Sequence, residues 1–192
     1  TNLTISFSPS YQRSQSTAQF VRRFDDPSAT HFYGHRAVFA DIEQKTLSFN
    51  TRVSATFTPT LTLEVVAQPF ISSGEYSNYK EFIAPRSVAK REFTASQLTT
   101  RLDATGTTTY VLDPDNDANT GNFEFGNPDF NFRSLIGNSV LRWEYRPGST
   151  LFLVWQQERS GSSAAGDFNF SRDSDALFNQ HAEWFCTAGR GE

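Results

Sequence analysis

Thr46-Leu-Ser-Phe-Asn-Thr-Arg-Val-Ser-Ala-Thr-Phe57 decides the fold. Its odd positions are Leu47, Phe49, Thr51, Val53, Ala55 and Phe57, and its even positions are Thr46, Ser48, Asn50, Arg52, Ser54 and Thr56. Successive side chains of a strand point to opposite faces, so this period of two sets a nearly apolar face against a wholly polar one. Such a strand separates an apolar environment from a wet one. Its length of about twelve residues exceeds the usual ~5–6 and suffices for the ~9–11 of a tilted, membrane-crossing strand.

The pattern continues on both sides. Thr58-Pro59-Thr60 reads as a tight turn, because proline fixes φ and brings no donor. A return strand follows, with Leu61, Leu63, Val65 and Ala67 alternating with Thr62, Glu64, Val66 and Gln68. A second hairpin has the same form. Ser139, Leu141, Trp143 and Tyr145 lie on one face, Pro147-Gly148-Ser149 forms the turn, and Leu151, Leu153 and Trp155 lie on the return strand. Asn2 to Tyr11 is a further strand, with Leu3, Ile5 and Phe7 on its apolar face. His31 to Asp41 is another, and Ser16 to Phe24 a weaker one. The connections are unequal. Two are tight, whereas Ser72 to Asn131 reads as one long polar loop, and short turns at one end with long loops at the other is the habit of outer-membrane barrels. No segment predicts a strong helix, and Asp173 to Phe178 predicts a turn or so.

Alternation alone leaves two architectures open: a soluble β-sandwich with its apolar faces packed together, and a membrane barrel. Three features favour the barrel. The strands are long, their polar faces carry Arg52, Glu64, Arg142, Glu144 and Arg146, and Phe57, Trp143, Tyr145 and Trp155 lie near strand ends, where aromatic girdles form.

The chain has 192 residues, enough for one domain with a core. Its 17 basic and 21 acidic residues leave a formal charge of −4, too mild for a nucleic-acid binder or a polybasic membrane-surface protein. Aromatic residues make up 15% of the chain, which argues against disorder. A single cysteine, Cys186, excludes an intrachain disulfide and a cysteine-based zinc site. There is no methionine, and the chain opens in mid-pattern, so a piece of a longer protein is expected.

The run Asn131-Phe-Arg-Ser-Leu-Ile-Gly-Asn-Ser-Val-Leu-Arg-Trp-Glu-Tyr-Arg-Pro-Gly-Ser-Thr-Leu-Phe-Leu-Val-Trp-Gln-Gln157 closely resembles a bacterial family. That family joins an N-terminal family-9-like carbohydrate-binding module to a large C-terminal β-barrel domain of unknown function. Tyr33 to Thr46, Phe57 to Leu63, Ala67 to Gly74 and Asp167 to Phe170 share the resemblance. It implies the last strands of a barrel in a Gram-negative outer membrane, with a lipid bilayer as partner. It also implies glycan binding or uptake, and a carbohydrate-binding module of the same polypeptide lying upstream. Members of the family tend to end on one more alternating strand. Residues 179–192 lack such alternation, which puts closure of the barrel in doubt.

The expectation is therefore an all-β chain: an antiparallel up-and-down transmembrane β-barrel. It is present as an incomplete, open, curved sheet of about seven or eight long strands, spanning residues 1–178 ahead of a divergent tail over 179–192.

Candidate chemistry is sparse. In Asp113-Pro-Asp115-Asn-Asp117-Ala-Asn119-Thr-Gly121-Asn-Phe-Glu124 the carboxylates fall at positions 1, 3, 5 and 12, as in a calcium loop. Ala118 stands at the sixth position, where an EF-hand needs glycine, so a solvated acidic turn is preferred and any calcium binding is expected to be weak. His31 and His35 are four apart, which on a strand places them ~13 Å apart, too far to share an ion unaided. No metalloprotease, nucleophile-elbow or nucleotide-loop motif is present, and no enzyme is expected. A membrane-anchored hydrolase would need a convergent carboxylate pair or nucleophile set. Arg52, Glu64, Arg142, Glu144 and Arg146 are candidates to line a pore or a glycan path, although their mixed signs suit cross-strand pairs that solvate a barrel interior. Tyr76, Tyr79, Phe123, Phe125, Phe130 and Phe132 are candidates to stack on sugar rings, with packing that pins a loop to the rim as the structural reading. No cofactor is expected beyond weakly held calcium, and no nucleic acid.

Overall fold

A computed structural model describes residues 2–117, 121–179 and 183–191; for 183–191 it describes the strand pairing. The chain is nearly all antiparallel β, built around one curved, unclosed sheet. Its strands are β1 (Asn2–Asp25), β2 (His35–Thr58), β3 (Leu61–Phe82), β4 (Lys90–Glu92), β8 (Phe130–Arg146), β9 (Ser149–Ser163) and β10 (Glu183–Gly191). The order across the sheet is β1-β2-β3-β8-β9-β10, and β4 adds to the far end of β3. A second, three-stranded sheet is made of β5 (Leu98–Leu102), β6 (Thr108–Leu112) and β7 (Phe123–Gly126).

The register aligns the alternation of every long strand. Leu3, Ala55, Leu63, Leu141 and Leu153 form one cross-strand row. Ile5, Val53, Val65, Ser139 and Trp155 form the next. Directly paired residues share a face, so five strands contribute to one apolar surface, here called the outward face. From Leu47 to Phe57 the band rises roughly 33 Å along β2, or about 23 Å at a ~45° tilt, close to the ~25 Å apolar band of a membrane barrel.

The two tight turns stand at one end of the sheet. Pro59-Thr60 joins β2 to β3, and the Thr58 hydroxyl accepts the Thr60 backbone N–H at 3.3 Å. Pro147-Gly148 joins β8 to β9. Gly148 has φ +78°, a conformation that suits glycine, and its N–H donates to Glu144 Oε1 at 3.2 Å. The other three connections stand at the opposite end, and all are longer.

Three segments differ from the sequence reading, each for a local reason. β1 is one strand of 24 residues, not two. Bulges at Ser16/Gln19 and Phe20/Arg22 insert extra residues and shift the parity, which hides the alternation beyond Ser16. β3 likewise runs on to Phe82, past a bulge where Asn78 adopts φ 49°, so the expected long loop begins eleven residues later, at Ile83, and itself carries β4 to β7. The strand expected from His31 to Asp41 is the first part of β2 and starts at His35, because His31 lies in a 3₁₀ turn (Thr30–Phe32) that ends on Tyr33 in the left-handed region.

The connection after β9 holds α1 (Phe170–Asn179), a ten-residue helix rather than a single turn. Asn169 caps it, accepting the Arg172 backbone N–H at 3.1 Å. After it, Glu183–Gly191 pairs with β9 throughout, so the tail extends the sheet although its sequence does not alternate cleanly. His181 lies outside the described residues.

The buried core is not behind the apolar band. It lies at the long-connection end, where Val38, Ala40 and Tyr79 of the main sheet pack on Leu112 and Phe125 of the small sheet. Val38 and Ala40 share the parity of Thr46 and Arg52, so the small sheet sits on the polar face. No second sheet covers the outward band among the described residues. Leu47, Val53 and Leu141 are half-exposed, and Leu153 is exposed. That removes the β-sandwich, which requires those four residues to be buried between sheets.

Candidate functional site

The polar face carries the charged set as a diagonal. Arg52 lies across from Val66, Glu64 between Ser54 and Val140, and Arg142 between Thr62 and Phe152. Each of the three is thus offset by two residues on the neighbouring strand, within reach of long side chains. Glu144 and Arg146 stand beyond them at the turn end. Arg142 approaches Glu144 at 3.9 Å, a solvent-screened contact, and Glu144 also receives the Gly148 N–H. The register therefore sets Arg52, Glu64 and Arg142 on one diagonal, with Glu144 in contact with Arg142 and Arg146 at the turn.

The tyrosines are placed otherwise. Tyr79 is 6% exposed, with its ring 4.9 Å from Tyr110 and 5.6 Å from Phe125. Burial pushes its hydroxyl far above the usual tyrosine range. Tyr76 is half-buried beside the same core, its hydroxyl also raised by burial, and its backbone N–H donates to Asp129 at 2.7 Å. Both rings pin the small sheet to the rim, and Phe125 is buried with them.

The acidic loop is opened out. Glu124 lies in β7 and pairs with Arg101 at 3.0 Å. Asp115 and Asp117 are exposed, Asn119 lies outside the described residues, and Asp113 leads out of β6. Asp115 instead faces Asp25 at the end of β1 and Asp26 of the β1–β2 connection across an open cleft of about 380 Å³. Among the described residues no group of three or more His, Cys, Asp or Glu is placed to hold a metal ion. Calcium affinity is expected to be no tighter than ~10⁻⁴–10⁻³ M. Micromolar binding by calorimetry, lost on Asp115→Ala, would contradict this.

Two buried ionic clusters escape sequence patterning because their members are far apart in the chain. In the first, Arg36 donates to Asp26 at 2.7 Å and to Glu81, and Arg91 also reaches Glu81. In the second, Asp173 on α1 is fully buried and accepts from Asn131 Nδ2, the Asn169 N–H and Arg172 Nε, each at 3.0 Å. Arg133 lies 3.8 Å away. Burial pushes both carboxyls up, but hydrogen bonds outweigh it, from Ser28 and Arg36 on Asp26 and from Asn131 and Arg172 on Asp173. Both groups titrate below the usual range. A depressed carboxylate contributes stability that is fully present above its unfolded value of ~3.9 and is lost as pH falls through the folded value. Amide-exchange protection of residues 26–36 and 169–179, corrected for intrinsic rates, is therefore expected to hold from neutral pH to about 5 and to fall below about 4. Loss between pH 8 and 6 would contradict the assignment.

Compared with family models, with curated proteins and with solved structures, the chain matches none of them.

Proposed function

We propose that this chain is the membrane-embedded part of a Gram-negative outer-membrane β-barrel, in a surface protein that binds or takes up glycans. The observation that carries the reading is the continuous outward band: apolar rows in register across five strands, of about one membrane's depth, with no protein layer over them among the described residues. In water such a surface would drive aggregation, whereas in lipid it is the expected exterior. Trp143 and Tyr145, 6.1 Å apart near one turn, supply the girdle at the short-turn side. Tyr11, against Phe168 at 6.4 Å, stands at the other margin.

The glycan role rests on the family resemblance of the sequence and on the polar face. That face carries Arg52, Glu64 and Arg142 in the open stretch between the turns and the small sheet. Because the small sheet is seated on this polar face, the barrel reads as a partly occluded binding vessel rather than as an open diffusion pore. Further strands of the same polypeptide would close it at the edges of β1 and β10, since lipid cannot satisfy open backbone groups.

The test is fractionation and binding of the full-length protein. It should stay in the membrane pellet after a high-salt wash, leave it only with detergent, and be retained on polysaccharide in detergent. Retention should weaken severalfold in an Arg52→Ala/Arg142→Ala double variant. Recovery in the soluble fraction overturns the membrane assignment, and unchanged retention overturns the role of the polar face.

A further inference from the structure

The connection after β9 does not hang free. Asp173 buries its carboxylate against Asn131 and beside Arg133, both of which have the outward parity of β8. Leu177, one turn later, is also buried. At the end of the helix Arg159 donates to the carbonyl oxygen of Phe178. Arg159 is outward as well, directly across from Leu135, the last apolar outward residue of β8. Upstream, Gly166 approaches so closely that a Cβ there would lie 2.8 Å from Glu75 Cα and 3.0 Å from the Gly74 carbonyl. The segment is therefore fastened to the outward face, and its height is set: just beyond the margin of the apolar band.

At that height the helix turns Asp173 and Leu177 to the sheet and leaves two large apolar side chains uncovered. Phe170 is 55% exposed and Phe178 61%. On a helix of 3.6 residues per turn, Phe170 and Phe178 lie about 80° apart on one side of the sheet-facing Asp173–Leu177 edge, and Arg172 lies about 120–160° from both. Arg159, which holds the Phe178 carbonyl, stands two outward positions from Trp155 on β9. The outward margin on β1 and β2 is mixed in charge, with Glu43 pairing with both Arg13 at 2.7 Å and Lys45 at 3.2 Å. Exposed aromatic side chains continuous with the outward apolar band match a helix lying in the headgroup region.

We propose that α1 is a membrane-surface element whose Phe178 and Phe170 enter the headgroup–acyl boundary of the leaflet on the long-connection side. This rests on the membrane reading above. In that role the helix seats the barrel at a fixed depth, and its lipid partner is the interfacial region of the bilayer.

The test uses the full-length protein in vesicles of phosphatidylethanolamine and phosphatidylglycerol. Single nitroxide labels are placed at Phe178→Cys, Phe170→Cys, Asp175→Cys and Leu153→Cys, each with Cys186→Ser, and accessibility to oxygen and to a water-soluble nickel chelate is read. The Leu153 label should be oxygen-accessible and shielded from nickel, and the Asp175 label nickel-accessible. The Phe178 and Phe170 labels should lie between them, near the interface. Nickel accessibility at Phe178 and Phe170 equal to that at Asp175, with Leu153 shielded, overturns the proposal and leaves the barrel intact. Shielding of Phe178 from both reagents means a protein cover and overturns it too. Nickel accessibility at Leu153 as well means that the membrane reading itself has failed.

Discussion

Val53→Arg in the full-length protein is expected to lower the unfolding free energy in lipid by ~2–4 kcal/mol, whereas Ser54→Arg should cost little. The two residues are adjacent, so local propensity and backbone geometry are the same and only the face differs. Val53 lies in the row Ile5–Val53–Val65, mid-way along the outward band, where on the proposed membrane reading an arginine would leave water for hydrocarbon. Ser54 lies between Thr4 and Glu64 on the polar face, where an arginine would gain a carboxylate opposite. Urea titration in vesicles followed by the tryptophan signal reads both variants. Equal losses at the two positions would contradict the sidedness of the sheet.

Arg36→Ala is expected to cost at most ~3–5 kcal/mol at the long-connection end, because it leaves buried Asp26 without a cation and Glu81 with Arg91 alone. The Arg36 side chain is 13% exposed, between Asp26 at 7% and Glu81 at 12%. The guanidinium bridges both through separate nitrogens. Arg36→Lys should recover only part of the loss, since a single ammonium cannot span the two acceptors in fork geometry. The damage should be local. Amide protection should fall in residues 26–36 and in the small sheet, with the hairpin turns at Pro59 and Pro147 unaffected. Full protection in Arg36→Ala would mean that the cluster is solvated rather than buried.

Legibility in the sequence follows regularity. From Thr46 to Ala67 and from Ser139 to Trp155 the strands carry no bulge until their turns, so parity in the chain equals parity in space and the outward rows can be read by counting. Beyond Ser16 on β1 and Ser77 on β3, single inserted residues break that equality, and the alternation disappears although the strands continue. The core was hidden for a different reason. Val38 and Ala40 occupy polar-face parity and are buried only because a sheet that begins at Leu98 folds onto them, a long-range contact that no local pattern records. The same holds for Asp26 with Arg36 and Glu81, and for Asp173 with Asn131. The candidate sugar platforms Tyr76 and Tyr79 were legible as aromatics beside a long loop, but composition cannot tell a ring that packs a loop from one that stands free. The helix α1 left one signal, the cap residue Asn169, which a search for apolar periodicity passes over.

The central claim is that the outward face from Leu47 to Phe57 meets lipid and the other face meets water. A cysteine scan of Thr46 to Phe57 in the full-length protein, embedded in its membrane with Cys186→Ser, tests it most directly through reaction with a membrane-impermeant thiol reagent. Protection should alternate residue by residue: Leu47, Phe49, Thr51, Val53 and Ala55 shielded, and Ser48, Asn50, Arg52 and Ser54 labelled from the aqueous side. A uniform pattern, with both parities labelled or both shielded, would contradict the account.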